Sequence, residues 1–420
     1  MITVDAPALA PDETDETVPT APTAPTVRVA AALDRTWAWI TGLRPSLAVA
    51  LLLGLTLARS GFWLEENGAV LWVNLARAFP APLSDWRTNS VTGPALGHLV
   101  GVETTSEWLT LHLFVLLAVV GLLAALVAGR FATRETRTVA AVWLTLGSIS
   151  PALTQRVGSY DVYVIAGVAL AVWGRRRSAV VAGGVLLGAT SAEQGLVGLV
   201  AAGLVAVALT DLDADAARPG LLGRVRSAAE LPHLATAAAA LTVTRLVVLV
   251  AHRSTDVLVP TRAEVFGTYL GDSLGNARAA GLSGVYAYLG LGWGLVVLAA
   301  LALGWNRRTL AVVLVGLVAV PASVTITTLD GTRVFAMVSM AAYLVVLGRL
   351  ADATGEGRLD RRFVRRATPT SSCPSEAPSP APGASVSHPS GRDGVWSNVR
   401  RPAPSPTLPA PTSSRTPTVG

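Results

Sequence analysis

The sequence predicts an all-α fold, a polytopic bundle of transmembrane helices between two disordered tails. Apolar residues make up 51% of the 420 positions and charged residues only 14%. Several apolar runs approach the roughly 20 residues that a helix needs to cross a bilayer. Arginine clusters also mark alternate loops between these runs, which is the positive-inside pattern of membrane proteins. Every basic residue is arginine, and the abundance of alanine and glycine is typical of a GC-rich bacterial genome.

The two ends of the chain differ sharply in composition from its middle. Residues 1–35 repeat threonine, alanine and proline among acidic residues, and residues 351–420 are first basic and then rich in proline, serine and threonine. Such segments are too polar and too proline-rich to build a core, so we expect both to be disordered cytoplasmic tails. The transmembrane domain is therefore assigned to residues 36–350. Its first span is expected to direct membrane insertion, since the start lacks the basic-then-apolar pattern of a cleavable signal.

The middle of the chain predicts ten spans, located by apolar runs and flanking arginines. In chain order they lie near 45–64, 108–128, 139–152, 159–174, 178–191, 195–210, 233–251, 284–304, 309–326 and 334–349. One helix over 178–210 would be about 50 Å long, too long for a single crossing, so a break is expected between Thr190 and Gly195. Two crossings there keep every strong arginine cluster on the cytoplasmic side, and both termini with them.

The predicted outer side combines short hairpins with two long loops. The arms of the hairpins 139–174 and 178–210 are short, so their turns should lie below the membrane surface, where backbone must be buried in protein or line a wet cavity. We therefore expect a cavity that opens outwards. In loop 65–107, residues 68–79 have the pattern of a helix lying on the membrane. The helical part of loop 252–283 is expected to lie across the cavity mouth.

Charged residues near the outer ends of the spans are the candidate site, because an ionised group at membrane depth costs at least a few kcal/mol unless it is paired or wetted. Arg245 lies inside the seventh span and needs an anion. Either Glu193 or Glu65 neutralises it, or it binds an anionic ligand. Asp161 and Arg156 form either an ion pair that positions a hairpin or a substrate contact.

Other charged residues extend this candidate site. Asp330 and Arg333, in the stretch TLDGTRVF, either cap a tight turn or contact substrate. Glu65 and Glu66 suit a general base or the ligands of a hard divalent cation, or they simply face outer water. The predicted catalytic residues are thus Glu65, Glu66 and Asp161. The predicted substrate-binding residues are Arg156, Glu193, Arg245, Arg253, Asp330 and Arg333.

Several function classes are disfavoured by the sequence. It contains no Walker lysine, no HExxH and no GxSxG motif, which argues against ATP-driven work and common hydrolase chemistry. The arginines flank apolar runs and form no basic stripe with aromatic residues, so no nucleic-acid partner is expected. Cys373 is the single cysteine, so a disulfide within the chain is not possible.

Glu65 and Glu66 follow the first span and begin a long outer loop with a predicted surface helix, and arginines lie on the outer face. Over residues 37–350 this combination resembles the GT-C class of membrane glycosyltransferases. The resemblance implies that the acidic pair supplies a base or helps to bind a divalent cation, with Asp85 as a later candidate. It also implies a polyprenyl-phosphate sugar as donor. The chain departs from the class in having no aspartate in the pair and no outer soluble domain.

The resemblance agrees with a mechanism built from the charged residues. A prenyl chain can stay among the membrane lipids while its phosphate meets Arg245, Arg156 or Arg333. One of the predicted carboxylates then deprotonates an acceptor hydroxyl. Three alternatives remain open. A transporter or lipid flippase should show a midplane site shared by two related halves, a polysaccharide polymerase or ligase would use loop 252–283, and a non-catalytic membrane component would need neither.

Overall fold

The chain is helical throughout the part that the computed structural model describes. Apart from the isolated positions Arg35, Gly42 and Val225, the described residues are 44–64, 66–210, 228–260, 262–325 and 331–355. Of the two predicted tails, only Arg35 and residues 351–355 fall within this part, and both are helical.

Fourteen helices in the described part of the chain confirm the predicted all-α class. In chain order they are α1 (Pro45–Ser60), α2 (Glu66–Ala78), α3 (Thr92–Val100), α4 (Thr105–Arg130), α5 (Arg134–Leu146), α6 (Ile149–Thr154), α7 (Asp161–Trp173), α8 (Arg177–Thr190), α9 (Ala192–Leu209), α10 (Leu231–Arg253), α11 (Arg262–Leu289), α12 (Gly292–Ala302), α13 (Arg307–Thr325, with a π-turn at Val315–Ala319) and α14 (Gly331–Gly355).

Five of the described helices, α4, α9, α10, α13 and α14, are long and apolar enough to cross a membrane, which indicates a multi-pass membrane protein. The helices α7, α8 and α12 are also apolar but shorter. Length and composition therefore support half of the ten predicted crossings directly, and the remaining number and the orientation stay predictions.

Helix α14 is the centre of the bundle. Within its spanning stretch, 94% of the residues of the apolar window are buried inside the protein, and α14 contacts α5, α7, α9 and α13 among others. Arg333 lies near its start and Asp352 near its end, about 28 Å apart at the 1.5 Å rise of a helix. That length is close to the thickness of a hydrocarbon core, about 30 Å.

The loops lie at two opposite ends of the bundle, and ion pairs and backbone contacts show which loops meet at each end. At the end of α14 that contains Asp352, Arg130 donates to that carboxylate at 2.8 Å, and Arg349 pairs with Glu230 at 3.0 Å. The loops that contact this end are those predicted to be cytoplasmic. The loops predicted to be outer, including those after α1 and α6, meet at the end that contains Arg333.

Helix α8 packs closely on both of its neighbours because glycines line its surface. A Cβ added at Gly183 would lie 2.6 Å from the carbonyl oxygen of Gly167 in α7, and one at Gly188 would lie 2.5 Å from the carbonyl oxygen of Leu241 in α10. The helix ends at Thr190, and α9 begins at Ala192. The break predicted between Thr190 and Gly195 is thereby confirmed.

Two predicted spans are each made of two helices, and their crossing of the membrane stays a prediction. Span 139–152 divides into α5 and α6 at Gly147, and span 284–304 divides into α11 and α12 at Gly290, whose φ is 55°. Both breaks lie close to Tyr343, in the middle of α14. Its hydroxyl donates to the carbonyl oxygen of Trp143 at 3.0 Å, and a Cβ at Gly147 or Gly292 would come within 3.0 Å of the Tyr343 side chain.

The surface helix predicted over 68–79 exists as α2, but its apolar face does not lie on lipid. Trp72 and Leu75 are buried, and the ring of Trp72 stacks on that of Trp108 in α4 with centroids 6.1 Å apart. The helical periodicity predicted that a helix forms here. Only the tertiary structure shows that its apolar face packs on protein.

Candidate functional site

The Asp161 centre consists of Tyr160, Asp161 and Arg333. Asp161 begins α7 and is 1% exposed, and its Oδ2 accepts a hydrogen bond from Nη1 of Arg333 at 3.1 Å. The Arg333 guanidinium also lies 5.7 Å from the centroid of the Tyr160 ring, within the range of a cation–π contact. The side chain of Arg333 is 16% exposed, so the centre holds a carboxylate and a guanidinium largely shielded from solvent.

The fold places these two charges together through helix ends. Asp161 is in the first turn of α7, where the helix dipole favours a negative charge, and Ser159 Oγ accepts from its backbone N–H at 3.3 Å. Arg333 is in the first turn of α14, which packs beside α7. Removing one partner of such a buried pair leaves the other charge uncompensated, at a cost of about 3–5 kcal/mol.

Aromatic side chains support the turn that precedes Asp161. Trp72 of α2 meets the ring of Tyr160 edge-on, with centroids 6.2 Å apart. Trp108 of α4 donates from Nε1 to the carbonyl oxygen of Gly158 at 2.9 Å. These contacts fix the turn 155–160 against both α2 and α4, so the carboxylate of Asp161 sits on a rigid support.

A buried histidine continues this support inside the bundle. His112 shares a hydrogen bond between its Nε2 and the hydroxyl of Tyr163 at 3.1 Å, and its Nδ1 lies 2.9 Å from the carbonyl oxygen of Trp108. Both ring nitrogens therefore have protein partners.

The first outer loop reaches the same turn. The backbone N–H of Trp63 donates to Thr154 at 3.0 Å, and the N–H of Val157 donates to Trp63 at 3.1 Å. Leu64 and Val157 form an isolated parallel bridge. The chain segment that carries the predicted acidic pair thus runs beside the turn before Asp161. Glu65 itself lies outside the described residues, and of Glu66 only the backbone is described, as the first residue of α2.

The Arg245 centre consists of Asn89, Glu193 and Arg245. Nη2 of Arg245 lies 3.1 Å from Glu193 Oε1 and 3.1 Å from Asn89 Oδ1, and Nη1 donates to the Asn89 backbone carbonyl at 3.3 Å. The Arg245 side chain is 15% exposed and that of Glu193 46% exposed. Of the alternatives that the sequence left open for Arg245, this contact is the one in which Glu193 neutralises its charge.

Asn89 is a residue that the sequence analysis missed. Its Nδ2 donates to the carbonyl oxygens of Trp86 at 3.0 Å and Pro260 at 3.2 Å, in addition to its contacts with Arg245. Asn89 thus joins the loop between α2 and α3, helix α10, and the loop between α10 and α11. The local signal is Asp85, whose side chain caps the short 3-10 helix Trp86–Asn89, but that signal predicts a turn and not its partners.

Helix α3 lies between the two centres. Ser90 donates from its hydroxyl to the carbonyl oxygen of Thr190, and Oγ1 of Thr92 lies 2.7 Å from Oγ1 of Thr190. A Cβ at Gly93 would lie 3.3 Å from the Trp108 ring. The same short segment therefore contacts the turn that carries Glu193 and the aromatic support of Asp161.

The other predicted site residues have less defined surroundings. Arg156 is exposed in the turn before Asp161, and Arg253 is exposed at the end of α10. Asp330 lies outside the described residues. The structure joins Asp161 with Arg333 and Glu193 with Arg245. The other groupings that the sequence suggested, Asp161 with Arg156 and Asp330 with Arg333, stay predictions.

A divalent cation finds little support among the described side chains. No group of three or more histidine, cysteine, aspartate or glutamate residues there is placed to hold a metal ion. Asp85, the later candidate ligand, uses both oxygens on Arg87, accepting from its backbone N–H at 2.7 Å and from Nη1 at 3.2 Å. It does not fit the ligand role, and a role for Glu65 and Glu66 stays a prediction.

The geometry of the two centres is the available guide to function. The chain matches no protein-family model, no curated protein and no solved structure.

Proposed function

We propose that this protein is a multi-pass membrane transferase of the GT-C type, which moves a sugar from a polyprenyl-phosphate donor to an acceptor hydroxyl at the Asp161 centre. One observation carries the proposal: a carboxylate that is 1% exposed lies 3.1 Å from a guanidinium at one end of the bundle. The segment bearing Glu65 and Glu66 runs beside it. A shielded carboxylate and a phosphate-binding guanidinium in one place are the groups that such a reaction requires.

The proposed reaction is a single displacement. The oxygen of the acceptor hydroxyl bonds to the anomeric carbon of the sugar, and the bond from that carbon to the phosphate oxygen breaks. Polyprenyl phosphate leaves with the bonding electrons, and the hydroxyl proton passes to a carboxylate. Asp161 accepts that proton, with Glu65 or Glu66 as the alternative base. Arg333 first positions the Asp161 carboxylate, and Arg333 and Arg156 then stabilise the charge on the departing phosphate.

The Arg245 centre has a secondary role in this proposal. Glu193 already neutralises Arg245, so a donor phosphate has to displace Glu193 before it contacts that guanidinium. Arg253 lies two turns further along α10 and can meet a phosphate as it approaches. We assign the centre to the outer side of a cell membrane, with ten crossings and both termini in the cytoplasm.

Transfer assays on the full chain in proteoliposomes test the proposal. A panel of polyprenyl-phosphate hexoses and pentoses is supplied together with a panel of hydroxyl-bearing saccharide and lipid acceptors, and the acceptor-dependent release of polyprenyl phosphate is measured. Asp161→Asn should lower the rate at least about 100-fold, the lower range for loss of a general base. The matched control is Asp352→Asn, which removes the carboxylate from an ion pair at the opposite end of α14 and should retain transfer.

Two results contradict the transferase proposal. One is full turnover by an Asp161→Asn protein that reconstitutes as well as wild type. The other is failure of wild type to consume any donor of the panel.

A transporter or lipid flippase is the second candidate, and the helix breaks at Tyr343 favour it. The gap between α5 and α6 and the gap between α11 and α12 both meet this side chain, about 15 Å along α14 from Arg333. Interrupted helices near the bilayer midplane are a recurrent architecture of transporter substrate sites. Counterflow by the same proteoliposomes without release of polyprenyl phosphate favours transport over transfer.

A further inference from the structure

One face of α9 is exposed along the length of the helix and begins with an acidic residue. At 100° per residue, Glu193, Leu196, Val200 and Leu204 fall on this face, and all four are exposed. Apart from positions 197, 203 and 207, which are half-buried, the rest of α9 is buried. Since α9 is long and apolar enough to cross a membrane, this face is the one available to lipid, and Glu193 lies at its first turn.

Helix α10 packs along one edge of this face and runs in the opposite direction. A Cβ added at Gly195 would lie 2.9 Å from Cδ1 of Leu241, and one at Gly203 would lie 3.5 Å from Cδ2 of Leu231. Eight residues of α9 therefore run beside ten of α10. The ion pair between α9 and α10, 3.1 Å long, closes the end of this seam just beyond the contact at Gly195.

This ion pair lies at the depth where lipid headgroups begin. A Cβ added at Gly198 would lie 2.9 Å from the carbonyl oxygen of Val338 in α14. Glu193 and Arg333 each precede these positions by five residues, in helices that begin at the same end of the bundle, so they lie at about the same level. The charged ends of α14 are about 28 Å apart, close to the thickness of a hydrocarbon core. The phosphate of a bilayer lipid therefore reaches the ion pair.

Arg245 keeps its position when Glu193 moves. Its guanidinium donates to the backbone carbonyl of Asn89 at 3.3 Å and to Oδ1 of the same residue at 3.1 Å, and Asn89 is in turn anchored on Trp86 and Pro260. The Glu193 side chain is 46% exposed, so turning it away from the guanidinium costs little. A phosphate oxygen can take its place, because a guanidinium matches phosphate geometry.

Charge balance decides which headgroup fits the opened ion pair. A purely anionic headgroup takes the guanidinium away from Glu193 and puts a second negative charge beside it, which is expensive near the hydrocarbon. A headgroup that joins a phosphate to a primary ammonium supplies a partner to both residues, and its ammonium has three hydrogens to donate. A choline headgroup has the same charges but no N–H to donate to the carboxylate.

We propose that the seam between α9 and α10 binds a phospholipid with a phosphate and a primary ammonium in its headgroup, as in phosphatidylethanolamine. The phosphate binds Arg245, the ammonium binds Glu193, and one acyl chain lies along Leu196, Val200 and Leu204. This binding is separate from the transfer proposed at the Asp161 centre and requires no turnover.

Native mass spectrometry of the full chain in detergent tests the proposal, with lipids of identical acyl chains. Wild type should bind phosphatidylethanolamine about 10-fold more tightly than phosphatidylglycerol or phosphatidylcholine, the effect of one charge-assisted hydrogen bond. A polyprenyl-phosphate hexose, which has the phosphate without the ammonium, should bind like phosphatidylglycerol. Soluble phosphoethanolamine at the same concentration should not displace the lipid, because it lacks the acyl chains.

Glu193→Gln should abolish the preference for phosphatidylethanolamine over phosphatidylglycerol, because the ammonium loses its carboxylate. The matched control is Glu230→Gln, which removes a carboxylate from the ion pair with Arg349 at the opposite end of the bundle and should keep the preference.

Several results overturn the proposal. Equal affinity of wild type for phosphatidylethanolamine and phosphatidylglycerol does so without any variant, and so does a preference that survives in Glu193→Gln. Tighter binding of the polyprenyl-phosphate hexose would assign the ion pair to the donor instead. Displacement by phosphoethanolamine would show that the apolar face takes no part. A dimer that excludes the lipid would show that a second copy covers this face.

Discussion

Among individual residues, Asn89 has the most consequential side chain outside the Asp161 centre. It is buried and hydrogen-bonds with Trp86, Arg245 and Pro260, so one amide links the first outer loop, α10 and the loop leading to α11. Glu193 shares the Arg245 guanidinium but is about half exposed. Water and salt screen an exposed ion pair, whereas a buried amide has no such substitute for its partners.

Asn89→Ala should therefore destabilise the protein more than Glu193→Gln does. We expect Asn89→Ala to lower the free energy of unfolding by about 1–3 kcal/mol, since it leaves buried polar groups without partners. Glu193→Gln should lower it by less than about 1 kcal/mol. Thermal unfolding of both variants in the same detergent measures the difference. Equal midpoints, or a larger loss in Glu193→Gln, would show that the charge holds the loops together.

For Asp161 and Arg333, the sequence predicts the two residues but not their pairing. Each residue is identifiable alone, because a charge at the edge of an apolar run is expensive. Their partnership is not, because they are 172 positions apart and meet only when α7 packs beside α14. What the sequence alone suggests is a pairing with Arg156, which is close to Asp161 along the chain and stays a prediction.

At the scale of elements, α8 depends on glycine for its distance from α10. The carbonyl oxygen of Leu241 occupies the space that a side chain at Gly188 would need, with only 2.5 Å to an added Cβ. Gly121 of α4 is also helical, yet an added Cβ there meets nothing within 4 Å. The two positions differ in packing and not in backbone conformation, so they form a matched pair.

Gly188→Ala should lower the free energy of unfolding by about 1–3 kcal/mol, because α8 and α10 have to separate to admit the methyl group. Gly121→Ala should be neutral or slightly stabilising, since alanine favours a helix by up to about 1 kcal/mol over glycine. Unfolding of both variants in detergent with increasing denaturant provides the comparison. A Gly188→Ala protein as stable as wild type would mean that these helices are further apart than described.

The ends and breaks of helices could be predicted where they depend on a local sequence pattern. They could not be predicted where they depend on packing against another helix. The break between α8 and α9 follows from the length of the apolar run 178–210, which exceeds one crossing. The breaks at Gly147 and Gly290 leave no trace in the apolar runs themselves, and Tyr343, the side chain that lies close to both, belongs to another helix. For the same reason, the apolar face of α2 could be found from its periodicity but not assigned to protein.

For the whole molecule, the two ends of the bundle make a prediction about topology. Ala132, in the short segment between α4 and α5, and Ser254, just after α10, are both exposed and lie at opposite ends. In a Cys373→Ser background, Ser254→Cys should react with an impermeant maleimide added to intact spheroplasts. Ala132→Cys should react only after the membrane is opened. This expectation follows from the arginines around position 132, which favour the cytoplasm.

Two other labelling patterns would contradict the predicted topology. Reaction of position 132 alone in intact cells would invert the orientation of the whole bundle. Reaction of both positions from the same side would mean that an odd number of crossings does not separate them. The arginine pattern alone predicted the separation of the loops into two groups, whereas which helices have the length to cross required the structure.

The burial of α14 has a consequence for how the protein is made. This helix is the last described one to leave the ribosome, yet it is the one that the earlier helices surround. The helices from α4 to α13 are therefore made before the helix on which they pack, and Asp161, Glu230 and Arg130 acquire their partners on α14 only after residue 331 has been synthesised. Assembly of the bundle is thus completed by its last described helix. A chain whose synthesis stops before residue 331 lacks the helix on which the others pack.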